Sequence, residues 1–249
     1  MSWGFPTAAV RTAEIAATAT TVVAPAVGAA LKKDDVLVVI VGWGSGTDII
    51  DNCTPSDNTG AGNAYQACKL SQDTGNAQCF GMWITRLQAD GTPTVTATFD
   101  ITRPHRSITV IPIRGMDTLI DLATIGLNST ANFDSNGGSG RTDPTATSLT
   151  PNQNNALLIG HVAETSGIAL TTLTTANNEV FETATGDRMA AATIEQQVRT
   201  SQAHSWTASG LGFWAMNQVA LPPVQPEPDS GGRKIFGPDP EQPYSGNLR

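Results

Sequence analysis

The sequence predicts an all-β protein: a two-sheet, antiparallel, jelly-roll-like β-sandwich over residues 1–221, followed by an extended Pro-rich arm over residues 222–249. Three observations predict this class. The 249 residues include 33 Thr and 24 Gly but only 14% charged residues, a balance that favours strands and turns over helices. One segment is apolar on both strand faces. The order of strand-like segments in the first half also recurs in the second.

The doubly apolar segment is 36–43, which reads VLVVIVGW. An antiparallel strand with one wet face alternates apolar and polar residues, and this segment does not. We therefore expect a central strand whose outer side is covered by another layer or another subunit. Asp34 and Asp35 supply the turn before it.

Polar, Gly-rich connections separate the other predicted strands of the first half. A hairpin is expected from segments 47–53 and 64–70, and a strand follows at 77–87. Segment 94–100 alternates with period two, as a half-buried strand does, and segment 107–115 is the next strand.

The second half repeats this order of segments, which predicts two similar half-sandwiches folded together. Segment 187–200 contains good helix formers, but it lacks a full helical spacing of apolar residues and is predicted as a strand. The matching segments are 155–164 with 35–44, 203–209 with 94–100, and 212–221 with 107–115.

The last 28 residues, 222–249, hold 7 of the 15 prolines and cannot belong to a sheet. A disordered tail and an arm docked on a neighbouring subunit are the alternatives. For a docked arm, the large apolar residues are the natural anchors and the adjacent basic pair suits an acidic neighbour. These docking residues are Arg233, Lys234, Ile235, Phe236 and Tyr244.

The three cysteines, Cys53, Cys68 and Cys79, are too few for a structural zinc site built from four Cys/His ligands. Cys53 and Cys68 are candidates for a disulfide across the predicted hairpin. The alternative is that all three are small buried hydrophobes.

Charge and hydropathy exclude two classes of partner. The formal net charge of −8 lacks the basic footprint of a nucleic-acid binder. The longest aliphatic run, 36–41, is far shorter than the ~20 residues of a spanning helix, so no membrane partner is expected. No secretory signal is legible at the start of the chain, which predicts synthesis in a cytoplasm.

No catalytic motif is found, so we expect neither an enzyme nor a bound cofactor. The strings nearest to a nucleophile elbow misplace the serine, and no HExxH spacing exists. His161 is expected to be satisfied or exposed. The spacing of Glu179 and Glu182 sends them to opposite strand faces, unlike the carboxylate pair of a glycosidase. Four loop aspartates lack calcium-loop spacing and are expected to be solvated: Asp48, Asp51, Asp57 and Asp73.

Four tryptophans raise the alternative of a sugar platform, since pyranose rings stack on flat exposed indoles. Each lies between apolar neighbours in a predicted strand, which favours packing in a core or an interface. They are Trp43, Trp83, Trp206 and Trp214.

The order of these motifs resembles β-sandwich accessory proteins encoded in tailed-phage genomes. The resemblance implies a virion protein without catalysis, such as a capsid decoration (cement) protein or a head-fibre or collar component. Its partners would be major capsid or tail subunits and copies of itself. A carbohydrate-binding or adhesive module of a fibre is the alternative. The matching residues are Asp35 to Trp43, Asn63 to Tyr65, Trp83, Thr94 to Phe99, Ala156 to Gly160, and Trp206 to Leu221.

Overall fold

The computed structural model describes residues 3–28, 30–44, 53–73, 78–133, 145, 147–164, 170–173, 178–181, 189–196, 198–208 and 214–223. The first half contains the strands β1 (Val10–Ile15), β2 (Ala19–Val23), β3 (Val36–Gly44), β4 (Cys53–Asp57), β5 (Gln66–Asp73), β6 (Gln78–Arg86), β7 (Val95–Arg103) and β8 (Arg106–Ile113). A 3₁₀ helix (Leu122–Asn128) leads to β9 (Ser129–Phe133), β10 (Ala156–Glu164), β11 (Leu170–Leu173), β12 (Asn178–Phe181), β13 (Met189–Gln196), β14 (Trp206–Ala208) and β15 (Trp214–Leu221).

The first eight strands form two antiparallel sheets, a larger one of order β1-β8-β3-β6-β5 and a smaller one of order β2-β7-β4. This is the strand order of an eight-stranded jelly roll with one change, since β5 pairs with β6 instead of β4. The second half repeats it with a larger sheet of order β9-β15-β10-β13-β12. Its smaller sheet pairs β11 with β14, and Thr145 and Leu149 form bridges beside β14 at Ser205 and Gln202.

The two larger sheets pack face to face and enclose a shared core. Strand β3 contributes Val36, Val38 and Ile40 to it, and β10 contributes Leu157 and Ile159. The opposite face of β3 packs against the smaller sheet of the first half, in a core that also holds residues of β4 and β7. In the second half, the opposite face of β10 packs in a smaller cluster. That cluster consists of Leu149, Ala156, Leu158, Ile194 and Ala220.

The predicted all-β, antiparallel sandwich is confirmed, and the expected central strand 36–43 is buried along its whole length. The structure refines the number of sheets, because each half forms its own pair and the described strands make four sheets. The layer that covers β3 is therefore supplied by the chain itself. The strand predicted within 187–200 is confirmed as β13.

The internal repeat is confirmed in strand order, but its predicted register is wrong by one residue. Aligning 35–44 with 155–164 matches Val36 to Ala156, whereas Val36 and Leu157 share the same core. Because side chains alternate between faces, a slip of one residue moves every side chain to the other side of the sheet.

The turn predicted at Asp34 and Asp35 is present. Asp34 has a φ of 72°, in the left-handed region that Asp tolerates better than most residues. The buried carboxylate of Asp35 accepts hydrogen bonds from the Lys32 backbone N–H at 2.8 Å and from Nε and Nη2 of Arg114 at 2.6 and 2.5 Å. This bidentate pair ties the start of β3 to the chain just beyond β8.

Candidate docking surface

The predicted docking residues belong to segment 224–249, which lies outside the described residues: Arg233, Lys234, Ile235, Phe236 and Tyr244. The described chain ends just after β15, where Pro223 forms an antiparallel bridge with Met116. These two residues follow equivalent strands of the two halves. The arm therefore leaves the body at the junction between the halves.

A cleft of about 170 Å³ opens beside this exit. It lies between the 3₁₀ helix, the start of β10 and the end of β15. Its volume is below the 300 to 1,000 Å³ typical of small-molecule sites and fits one or two side chains. Its lining is mostly apolar and consists of Ile120, Thr124, Ile125, Asn152, Gln153, Ala156, Ala220 and Pro222.

One rim of the cleft is a loop held in place by Arg86 of β6. The guanidinium donates hydrogen bonds to the backbone carbonyls of Asp117 and Thr118, both at 2.6 Å, and of Ile120 at 3.5 Å. Hydrogen bonds from a charged group are stronger than those between neutral groups. The Arg86 guanidinium therefore holds this loop in place.

Leu119, at the outer point of this loop, is 91% exposed. The carboxylate of Asp117 accepts its backbone N–H at 2.9 Å, and Asp121 accepts the N–H of Ala123 at 3.0 Å. Both aspartates organise local turns, as Asx residues commonly do. The rim therefore carries the exposed Leu119 and the partly buried Ile120 between two carboxylates.

All four tryptophans named in the sugar-platform alternative are buried, which confirms the prediction of core packing. Trp43 contacts two other rings in the first-half core, with its centroid 6.4 Å from that of Trp83 and 5.5 Å from that of Phe99. Trp206 stacks on His204 at 5.8 Å in the second half. Among the described residues, these indoles form no exposed aromatic pair.

His161 differs from the prediction that it would be satisfied or exposed. It is fully buried, its ring lies 5.9 Å from that of Phe80, and neither ring nitrogen has a hydrogen-bond partner among the described residues. Burial lowers the pKa of His161 to about 3. The ring is therefore neutral at pH 7. It fills a position in the core that an aliphatic side chain would ordinarily occupy.

His204 is also buried but has partners. Its Nδ1 lies 2.7 Å from Oε1 of Gln218, and its backbone N–H donates to the same oxygen at 2.9 Å. Burial lowers the pKa of His204 to about 4, although the hydrogen bond to Gln218 acts in the opposite direction. Gly160 makes room for this ring, since a Cβ atom there would lie 2.3 Å from it.

The candidate disulfide between Cys53 and Cys68 is not formed. The predicted hairpin is wrong, because β4 pairs with β7 and β5 pairs with β6. Cys53 consequently lies in the first-half core and Cys68 in the shared core, on opposite sides of the larger sheet. Cys53, Cys68 and Cys79 are buried and form no disulfide with one another, and burial raises the pKa of Cys53 and of Cys68 to about 12.

Asp57 organises the connection between β4 and β5. Its carboxylate accepts hydrogen bonds from Thr59 Oγ1 (2.5 Å), Asn63 Nδ2 (2.9 Å) and Tyr65 Oη (2.8 Å). Burial acts to raise its pKa, but these hydrogen bonds, together with the Thr59 N–H, outweigh it and hold the pKa of Asp57 below its ordinary value. Asp57 is therefore a half-buried carboxylate bound by donors of the protein, and the prediction that it is simply solvated is wrong.

Of the other acidic candidates, Asp48, Asp51 and Glu182 and the side chains of Asp73 and Glu179 lie outside what the structure describes. Within the described ranges, no group of three His, Cys, Asp or Glu side chains could hold a metal ion. We assign no metal or catalytic site.

The outer face of the β2-β7-β4 sheet carries a regular set of hydroxyl groups. The backbone register places Thr21, Thr98 and Thr54 in one row across the three strands. The next row contains Val23, Thr96 and Ser56. Strand geometry spaces such rows by about 6.7 Å and neighbours within a row by about 4.8 Å. This face is largely exposed, and Asp100 lies on the same side of β7 as Thr96 and Thr98.

Sequence reasoning missed the cleft because its walls come from three distant segments. Only one signal was legible: the apolar pair Leu119-Ile120 stands between Asp117 and Asp121. Nothing in the sequence placed Ala220 and Pro222 beside them.

No helix among the described residues has the length and apolar character needed to cross a bilayer. Comparisons of the chain with protein-family models, with curated proteins and with solved structures found no match.

Proposed function

We propose that this chain is a non-enzymatic structural protein of a phage virion. It would serve as a capsid decoration (cement) protein or a head-fibre or collar accessory protein, and bind neighbouring subunits of the particle. The observation that carries the proposal is the jelly-roll strand order in both halves. That architecture recurs in viral capsid domains and in lectin domains, so the support is an analogy of fold.

The tryptophans favour the structural role over the glycan-binding one. A lectin site of the stacking type needs exposed indoles, and these four are buried. The apolar cleft and the exposed Leu119 beside the exit of the arm instead suit contact with protein.

The experiment is a search for this chain in particles. Virions from a lysate in which the chain is expressed are purified on a density gradient and digested, and its peptides are quantified across the gradient. We expect the peptides to co-sediment with the major capsid protein at a fixed ratio. Recovery only in the soluble fraction would contradict the proposal.

The hydroxyl rows on the β2-β7-β4 face favour a second candidate, a carbohydrate-binding module that uses hydrogen bonds instead of aromatic stacking. A glycan array probed with the intact protein tests it. Selective binding that is lost in Thr98→Val, in the middle of the first row, would favour this alternative. Binding unaffected by Thr98→Val would place the glycan elsewhere on the protein.

A further inference from the structure

We propose that the cleft beside the arm's exit is the receptor for the segment Arg233-Lys234-Ile235-Phe236 of a second copy of this chain. The inference rests on the proposed function, because it takes copies of the chain as partners, and it names the surface and the segment that meet. Four observations support it.

The first observation is the pattern of the two surfaces. The rim offers Leu119 and Ile120 between Asp117 and Asp121. The segment offers two basic residues followed directly by two large apolar ones. The basic pair of the segment can face one of the two carboxylates while its apolar pair contacts Leu119, and the two contacts together supply affinity.

The second observation is that the receptor is preorganised. Arg86 fixes the 117–120 backbone through three carbonyls, and the Asp117 carboxylate holds the Leu119 N–H. Leu119 is therefore exposed on a loop that is already ordered. Binding to such a surface costs little conformational entropy on the receptor side.

The third observation is the size of the cleft. About 170 Å³ accommodates one aromatic or two aliphatic side chains, and its floor consists of Ile125, Ala156 and Ala220. Phe236, with Ile235 against Leu119, matches this capacity. Tyr244 lies too far along the chain to be needed for the same contact.

The fourth observation is where the described chain ends. It leaves the body at Pro223, at the edge of the cleft, and nine residues separate Pro223 from Arg233, enough chain to reach at most about 30 Å. Because proline restricts φ, a sequence with prolines at 226 and 228 disfavours a tight return to the same cleft. A facing cleft on a second copy lies within reach.

Photo-cross-linking of the full-length protein tests the inference. Phe236 is replaced by the photoreactive residue benzoylphenylalanine, and equal amounts of ¹⁴N- and ¹⁵N-labelled protein are mixed and irradiated. We expect cross-links from position 236 to peptides covering 117–125 or 152–156, with mixed isotope pairs among them. Cross-links only to other regions, or only between peptides of one isotope, would overturn the inference; the latter would show that the chain occupies its own cleft.

Matched variants make the result specific. Leu119→Asp should lower the cross-link yield about tenfold, because it removes a buried apolar contact and adds a charge at the centre of the surface. Val198→Asp makes the same kind of change at another exposed apolar residue and should leave the yield unchanged. Equal yields in the two variants would overturn the inference. Since the isolated protein is used, this outcome is independent of whether the chain is found in virions.

Discussion

The two halves of the chain share a strand order but differ in what fills their own cores. The first-half core cluster is built from aliphatic and aromatic residues, with Trp43 in contact with both Trp83 and Phe99. In the second half, the face of β10 toward its own small sheet packs against His204, which is bonded to Gln218. The second half also places His161 in the shared core.

The difference shows that the same strand order can form around cores of different composition. Strand order depends on where turns fall and which faces are apolar, and both halves satisfy this requirement. A buried polar group costs little stability when it is hydrogen-bonded, as Nδ1 of His204 is, and more when it has no partner among the described residues, as is the case for both ring nitrogens of His161. We therefore expect the second half to be more sensitive to acid than the first half.

The largest effect is expected at the contact between the halves. Ile40→Asp places a carboxylate in the shared core and should prevent soluble folding, at a cost of several kcal/mol. Ile101→Asp makes the same change at a residue that is 47% exposed and should melt like the wild type. Soluble yield and thermal melting provide the measurement. Wild-type melting of Ile40→Asp would show that the halves do not share a core.

The next effect concerns the site where the two halves differ most. Gly160→Ala brings a methyl group to 2.3 Å from the His204 ring and should destabilise the fold by about 1 to 3 kcal/mol. When Val36 is aligned with Leu157, the corresponding first-half residue is Val39, whose side chain is part of the first-half core. In urea unfolding, the double variant Gly160→Ala/His204→Ala should lose less than the sum of the two single losses. Simple additivity would rule out the contact.

A stabilising change is expected at His161. His161→Leu removes an unpartnered buried polar group and should add about 1 to 3 kcal/mol at pH 7. The folded pKa of about 3 lies below the unfolded value of 6.5, so stability is fully present above pH 6.5 and is lost as the pH falls toward 3. At pH 4 the loss from this group is about 3 kcal/mol.

The variant should therefore flatten the acid side of the stability profile measured by urea unfolding. Val23→Ala, at an exposed apolar residue of β2, is the control and should keep the wild-type slope because it removes no titratable group. If both variants retain the wild-type slope, His161 is not the acid-sensitive group.

The smallest effect is expected in the Asp57 loop of the first half. Tyr65→Phe removes the hydrogen bond from the Tyr65 hydroxyl to Asp57 and should cost about 1 kcal/mol. Thr59 and Asn63 continue to hold the carboxylate, so the loss stays small. Chemical denaturation at pH 7 measures it. A loss above 3 kcal/mol would show that the loop depends on this single bond.

Local patterns in the sequence predicted the strands and the repeat. Doubly apolar β3 indicated a covered central strand, and alternation identified β7. The register of the repeat was missed because Ala156, Leu157 and Leu158 are all apolar, so the pattern does not distinguish the two faces. The true partners of β4 and β5 were missed. Proximity along the chain favours a hairpin between these two strands, whereas β4 pairs with β7 and β5 pairs with β6.

The candidate docking surface also has one part that the sequence predicts and one part that it does not. Ile235 and Phe236 are predicted as anchors from composition, since large apolar residues are rare in this Pro-rich segment, and this stays a prediction because they lie outside the described residues. The cleft depends on contacts between residues about 100 positions apart, such as Ile120 and Ala220, and no local pattern encodes them.

Hydrogen exchange at pH 7 and pH 4 tests most directly the claim that the two halves share a topology but differ in core chemistry. Protection of β10, β13 and β15 is compared with that of β3, β6 and β8, after correction for the intrinsic exchange rate at each pH. We expect the second-half strands to lose protection first on acidification, because His161 and His204 both have folded pKa values below 6.5. Simultaneous loss of protection in both halves, or earlier loss in β3, β6 and β8, would contradict it.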